Sequence, residues 1–173
     1  MKYLSLTVLV LCLLNACKDP ELQKEEAFRL LKENGRFPLT HTYNIYTKDS
    51  EDGRKLIDAG LEKEGVVTVE RNRKTGDNHA PIIEFTEKAK PYLLAPDKGQ
   101  LSSVQKVMTG EEVLDEITAL KMNPEKTAAA INYTTKFIRI TPFAVLDKAK
   151  FDSKKNYQAK FVLTKQGWEL QQN

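Results

Sequence analysis

The sequence predicts an α+β fold in which a helical first half is followed by a β-rich, antiparallel second half. Three observations carry this prediction. Apolar residues recur at helical spacing in residues 22–34 and 50–64. In residues 157–164 they alternate with polar residues, which is typical of a half-buried strand. Between these regions the segment Pro96-Asp97-Lys98-Gly99 has the composition of a turn and marks the boundary between the halves.

The first sixteen residues have the pattern of an export signal. Met1-Lys2 supplies a positive start, and residues 4–14 form an apolar run that is too short for a membrane-spanning helix. The run ends in Leu14-Asn15-Ala16-Cys17, which resembles the bacterial lipobox. The resemblance implies cleavage between Ala16 and Cys17 and lipid modification of Cys17. An ordinary secretory signal that leaves this cysteine unmodified is the alternative.

The predicted mature chain, residues 17–173, is long enough for one ordinary domain or two very small ones. Cys12 leaves with the leader, so the mature chain has no cysteine pair and its stability comes from buried apolar surface. An apolar content of 40% with 29% charged residues is typical of a globular protein. After position 17 there is no apolar run of about 20 residues, the length that crosses a bilayer.

Residues 17–22 are predicted to form the lipidated tether, and residues 23–97 the helical half. A helix over 22–34 ends at Gly35, and Asp49 or Ser50 caps a second helix that runs to about residue 64. Strands are predicted at 42–47, 66–71 and 82–85. Thr86 caps a third, short helix that reaches about residue 94, although Pro91 is awkward inside it.

Residues 98–173 are predicted to form the β-rich half. The pattern indicates strands at 103–109, 113–121, 129–141 and 157–164, with a last short strand through Trp168. Residues 111–120 are compatible with a helix or a strand.

Three phrases of the first half resemble a winged-helix domain over residues 22–95: Leu56-Ile57-Asp58-Ala59-Gly60-Leu61, Gly65-Val66-Val67, and Ile83-Glu84-Phe85-Thr86-Glu87-Lys88-Ala89-Lys90. In cytoplasmic proteins this fold often binds DNA. Here we predict no nucleic-acid partner, because residues 17–99 carry 15 basic and 16 acidic side chains.

The whole mature chain resembles small uncharacterised lipoproteins of Gram-negative envelopes. Thr141-Pro142-Phe143-Ala144 and Phe161-Val162-Leu163-Thr164-Lys165-Gln166-Gly167-Trp168 carry this resemblance. The familiar inner-membrane retention signal places Asp directly after the lipidated cysteine, whereas this chain has Lys18 there. The resemblance therefore implies a lipid anchor in the cell envelope, in the outer membrane and facing the periplasm.

The sequence predicts no catalytic residue, no metal site and no cofactor. The two histidines, His41 and His79, are too few for a zinc site and are interpreted as surface or loop residues. Ser102-Ser103 has no nucleophile motif around it, and Glu111-Glu112 and Asp115-Glu116 are interpreted as solvated pairs. We predict a non-enzymatic binding or structural module. The alternative is a hydrolase of an envelope polymer, which would place a histidine beside a carboxylate in a pocket.

Charge is unevenly distributed in the second half. Residues 100–123 have 2 basic and 4 acidic side chains, whereas residues 124–173 have 9 basic and 4 acidic. Lys136 and Lys160 are candidates for a surface that binds anionic lipid, a glycan or an acidic protein. The alternative is that lysines on strands discourage aggregation. Five aromatic residues are interpreted as core rather than as a binding groove: Tyr133, Phe137, Tyr157, Phe161 and Trp168.

Overall fold

A computed structural model describes residues 21–71, 80–99 and 101–171. Its strands are β1 (Leu39–Tyr46), β2 (Val67–Val69), β3 (Ile83–Phe85), β4 (Val104–Met122), β5 (Ala128–Ile138), β6 (Lys155–Thr164) and β7 (Gly167–Leu170). Five of them form one antiparallel sheet in the order β1-β4-β5-β6-β7, and β2 pairs with β3 in a separate ribbon.

The long strand β4 is the centre of this sheet. Its first part pairs with β1 and its second part with β5, so the two strands predicted between residues 103 and 121 are one strand. Three register shifts interrupt the pairing, and such bulges bend a strand and increase its twist. The sheet is curled as a result. The interior glycine of β4, Gly110, lies under the ring of Phe151: an added Cβ would be 2.8 Å from its Cε1 atom.

Two α-helices are present among the described residues, α1 (Lys24–Leu31) and α2 (Ser50–Asp58). The predicted cap of the second helix is confirmed, because the Asp49 carboxylate accepts hydrogen bonds from two backbone N–H groups of the first turn. A π-helical turn, Lys32–Arg36, follows α1, and short 3-10 turns lie at Lys90–Tyr92 and Pro142–Leu146. None of the helices in the described part of the chain is long and apolar enough to cross a bilayer.

Buried apolar residues form two clusters. The first cluster lies between α1 and strands β4 to β7 and contains Leu22, Ala27, Leu31, Leu114, Ile117, Ala129, Ile131, Tyr133, Ala159, Phe161 and Trp168. The second cluster joins β1, α2, the β2–β3 ribbon and the Pro142–Leu146 turn, and contains Ile45, Leu56, Leu61, Val66, Val67, Val69, Ile83, Ala89, Val107 and Phe143.

Both clusters lie on the same face of the curled sheet. Side chains two residues apart on a strand share a face, which places His41 with Ile45 on β1 and Glu112 with Leu114 on β4. Ile45 belongs to the second cluster and Leu114 to the first. The hydrogen bond between His41 and Glu112 shows that these two inward faces are continuous. The inner face is therefore apolar at both ends and polar between them.

The predicted fold class, α+β with a winged-helix-like first half, is wrong. Strands make up 42% of the described residues and helices 20%, so the fold is mostly β. Helix α1 packs on β4 and β7, and β1 is an edge strand of the sheet that the second half builds. The predicted third helix after Thr86 is a turn that ends in the short Lys90–Tyr92 segment, as Pro91 cannot donate a helical hydrogen bond.

The shared strand predicts that the two clusters unfold together. Phe143 and Phe161 are both fully buried, one in each cluster. We expect Phe143→Ala and Phe161→Ala each to lower the free energy of unfolding by about 3–5 kcal/mol. Each variant is expected to keep a single transition in thermal and urea unfolding, because loss of either cluster frees part of β4.

A suitable control is Val145→Ala, because Val145 lies in the same turn as Phe143 but is 62% exposed. Its free energy of unfolding is expected to stay within about 0.5 kcal/mol of wild type. Two separate unfolding transitions in either phenylalanine variant would contradict a single cooperative unit.

Candidate functional site

The candidate site is centred on Glu112, whose side chain is 1% exposed. Its Oε2 atom lies 2.8 Å from His41 Nε2 and 3.1 Å from Lys155 Nζ. Its Oε1 atom accepts hydrogen bonds from the Thr135 hydroxyl and, at 3.1 Å, from the Tyr157 hydroxyl. The partners belong to β1, β5 and β6, so one carboxylate on β4 connects four strands. We call these five residues the Glu112 cluster.

Aromatic rings cover one side of the Glu112 cluster. The centroids of the His41 and Phe137 rings are 4.9 Å apart, and the Phe151 ring packs on Phe137 at 4.6 Å. Lys155 Nζ lies 4.5 Å from the Phe137 centroid, within the range of a cation–π contact. These rings exclude water from the carboxylate, which strengthens each of its hydrogen bonds.

The hydrogen bonds keep Glu112 ionised in spite of its burial. Burial alone raises the pKa of this carboxyl, but the hydrogen bonds from Thr135, Lys155, His41 and Tyr157 outweigh it and hold the pKa below the ordinary value of 4.5. Burial, together with the hydrogen bond to the Glu112 carboxylate, raises the pKa of the Tyr157 hydroxyl. The tyrosine therefore acts as a hydrogen-bond donor at neutral pH.

The arrangement leaves Glu112 little capacity for a further ligand. An ionised carboxylate offers about four acceptor positions, and the four internal partners occupy that number. A general acid or base needs a position that its substrate can reach. The chemistry of this carboxylate is therefore structural: it holds β1, β5 and β6 in register against β4.

A second carboxylate, Asp115, lies at the register shift that follows Leu114. Its oxygens are 2.6 Å from Lys154 Nζ and 2.9 Å from Lys136 Nζ. Hydrogen bonds from these two lysines lower the pKa of Asp115 from 3.8 to about 2. Both lysines are more than half exposed, so solvent screens these pairs.

The uneven charge of the second half is largely compensated inside the fold. Five of the nine basic side chains after residue 123 form ion pairs with acidic residues from elsewhere in the chain. The pairs are Lys126–Glu21, Lys136–Asp115, Arg139–Glu111, Lys154–Asp115 and Lys155–Glu112. Four of these five use an acidic residue of β4, so acidic β4 and its basic neighbours complement each other.

Lys136 and Lys160, the candidate anionic-partner surface, lie on neighbouring strands and are both exposed. They share the outer face of the sheet, because both have even numbers, whereas the inward-facing residues of β5 and β6 have odd numbers. Lys160 is paired with Ala130, six positions along β5 from Lys136, so they lie about 20 Å apart. Lys136 is also bound to Asp115. The fold does not bring these two lysines together.

Several sequence-predicted residues lie outside the described part of the chain: Ala16, Cys17 and His79. Ser102 and Ser103 lie in the turn before β4. Of the five aromatic residues interpreted as core, Tyr133, Phe161 and Trp168 belong to the first cluster. Phe137 contacts the Glu112 cluster, and Tyr157 is one of its members.

Sequence reasoning missed the centre of the site. The interpretation of Glu111-Glu112 as a solvated pair is wrong for Glu112, and His41 lies in β1 rather than in a loop. The alternation along β4 was the available signal, because Glu112 is two residues before the buried Leu114 and shares its face. Lys155 and Tyr157 carry the same period-two signal on β6.

Within residues 21–71, 80–99 and 101–171, no group of three or more His, Cys, Asp or Glu side chains could hold a metal ion. Comparisons with protein-family models, with curated proteins and with solved structures found no match for this chain.

The Glu112 cluster predicts an acid-sensitive fold. Glu112→Gln leaves Lys155 and His41 without their carboxylate, and we expect it to lower the free energy of unfolding at pH 7 by about 3 kcal/mol. Because the folded-state pKa of Glu112 is depressed, its contribution is complete above pH 4.5 and is lost as the pH falls through the folded-state value. In urea titrations, the difference in the free energy of unfolding between wild type and Glu112→Gln should therefore shrink as the pH falls below 4.5.

The control for this prediction is Glu116→Gln, which removes an exposed carboxylate from the same strand. It is expected to change the free energy of unfolding by less than about 0.5 kcal/mol. An equal loss in both variants, or a difference between wild type and Glu112→Gln that does not depend on pH, would refute the structural role assigned to this carboxylate.

Proposed function

We propose that this chain is a lipid-anchored protein of the bacterial cell envelope whose folded domain is a non-catalytic binding or structural module. The lipobox resemblance of Leu14-Asn15-Ala16-Cys17 supports the anchor. The position of the folded part supports it as well: Leu22 is already buried in the first cluster, five residues after Cys17. An acylated Cys17 would hold the domain directly at a membrane surface.

The Glu112 cluster is the observation that supports a non-catalytic domain. It combines the residue types from which active sites are built, yet its central carboxylate is committed to internal donors. Asp115 is likewise bound by two lysines. A domain that uses these groups to hold its own strands suits a role in binding or in envelope structure.

A hydrolase of an envelope polymer is the second candidate, and one contact favours it. His41 Nε2 lies 2.8 Å from Glu112, which is the arrangement in which a carboxylate orients a catalytic histidine. The test is the release of soluble fragments from purified peptidoglycan by wild type and by His41→Ala. Fragment release that His41→Ala abolishes would support this candidate over the binding module.

Lipidation is tested by labelling cells with radioactive palmitate. We expect label in the wild-type protein and none in Cys17→Ser, because the sulfur of Cys17 is the atom that would carry the diacylglycerol. Cys12→Ser is the matched control and should label like wild type, since Cys12 lies in the leader. Equal labelling of wild type and Cys17→Ser would refute the anchor.

Sorting to the outer membrane rests on Lys18, which occupies the position of the retention aspartate. We expect the wild-type protein to follow outer-membrane markers in a density gradient. Lys18→Asp should shift it toward inner-membrane markers, because it restores the retention signal. Wild type found mainly with inner-membrane markers would contradict this part of the proposal.

A further inference from the structure

We propose that Lys121 and Lys160 form a binding site for the phosphate headgroup of an anionic phospholipid, on the outer face of the sheet at its anchored end. This inference rests on the proposed lipid anchor, because the anchor determines which membrane leaflet this end of the domain faces. The site differs from the pair inferred from sequence, because Lys121 on β4 replaces Lys136.

Strand register places the two lysines on either side of one small residue. Lys121 is paired with Ala130 on β5, and Ala130 is paired with Lys160 on β6. The backbone N–H of Gln171 donates to the Lys160 carbonyl, which extends the row to a fourth chain segment. Neighbouring strands lie about 4.8 Å apart, so the two lysine Cα atoms are separated by about 10 Å across the methyl group of Ala130. One shallow groove is lined by all four residues of this row: Lys121, Ala130, Lys160 and Gln171.

This separation suits a phosphate. Each lysine side chain is long enough to bring its ammonium group over Ala130, where one anion can contact both. Ala128, two residues from Ala130 on the same face of β5, also lines the groove. A larger residue in place of Ala130 would fill the space between the lysines.

The charges of Lys121 and Lys160 are available, in contrast to those of several basic residues at the other end of the sheet. Both side chains are exposed, and neither forms an ion pair within the described ranges of the chain. By contrast, Lys136, Lys154 and Lys155 are bound to carboxylates of β4. The groove is therefore a place where the excess of positive charge is not compensated internally.

The short tether places this groove beside a membrane. Glu21 forms an ion pair with Lys126, in the turn between β4 and β5, and lies only four residues after Cys17. Four residues span at most about 14 Å. The neighbouring β6–β7 turn lies at the same end, since the Leu163 N–H donates to the Thr127 carbonyl at 2.8 Å. An acyl chain on Cys17 would bring this end of the sheet to the leaflet surface.

Proximity to the leaflet also selects the occupant. A single exposed lysine near an anionic membrane contributes about fivefold to binding, which is too weak to capture a dilute free phosphate. A tethered site meets its ligand at a high effective concentration. The pair of lysines is therefore matched to headgroups in the membrane that holds the anchor.

The test uses the mature chain, residues 17–173, with Cys17→Ser so that no acyl chain contributes to binding. Co-sedimentation is measured with vesicles of phosphatidylcholine alone and of phosphatidylcholine with phosphatidylglycerol. We expect binding to the anionic vesicles only. Replacing both Lys121 and Lys160 by Gln should weaken it on the order of twentyfold, since each lysine contributes about fivefold. Unchanged unfolding midpoints would show that the double variant is folded.

The matched control replaces Lys148 and Lys150 by Gln, the same change of charge at two exposed lysines distant from the groove. This variant should bind the anionic vesicles like wild type. Equal losses in the two double variants would overturn the site in favour of net charge alone. Release of the protein from vesicles by millimolar inorganic phosphate would overturn the lipid assignment. Because the protein tested is unacylated, these outcomes are independent of the palmitate experiment.

Discussion

The buried carboxylate of Glu112 is the constraint around which the sheet is arranged. An ionised group in this position is stable only if its acceptor positions are filled, and the donors that fill them come from three other strands. A one-residue slip of β1 or β6 against its neighbours would remove His41 or Lys155 and turn the inward side chains of that strand to the outer face. A polar cluster between two apolar clusters thus specifies strand register, which apolar packing alone specifies less strictly.

The same logic extends to the acidic residues of β4 as a group. Glu111, Glu112 and Asp115 are bound by basic residues that follow them in the chain. The uneven charge along the sequence is therefore a pattern of strand complementarity, and it is not by itself a basic binding surface. Lys121 and Lys160 are among the basic residues outside this compensation, and the groove between them is the more informative place to look for an anionic partner.

Resemblance to a winged helix failed for a physical reason. The short phrases around α2 and the β2–β3 ribbon have the local sequence of that fold, and a helix followed by a two-stranded ribbon does form there. Their surroundings differ, because α1 packs on β4 and β7 and β1 is an edge strand of the large sheet. Local motifs predict local elements, whereas a fold class depends on which elements share a core.

The sequence by itself determined the short-range features: the Asp49 cap of α2, the strand alternation of residues 157–164, and the positions of most strands. The leader and Cys17 also belong to the sequence alone, and lipidation stays a prediction. Only the tertiary structure decided that β4 is one strand, that β1 joins it across the boundary at residues 96–99, and that Glu112 is buried. The reason is separation along the chain: a cap lies within three residues of its partner, whereas His41 and Glu112 are 71 positions apart. Periodicity shows which face of a strand is apolar. Which elements pack on that face, and which strands pair beside it, depends on residues far away along the chain.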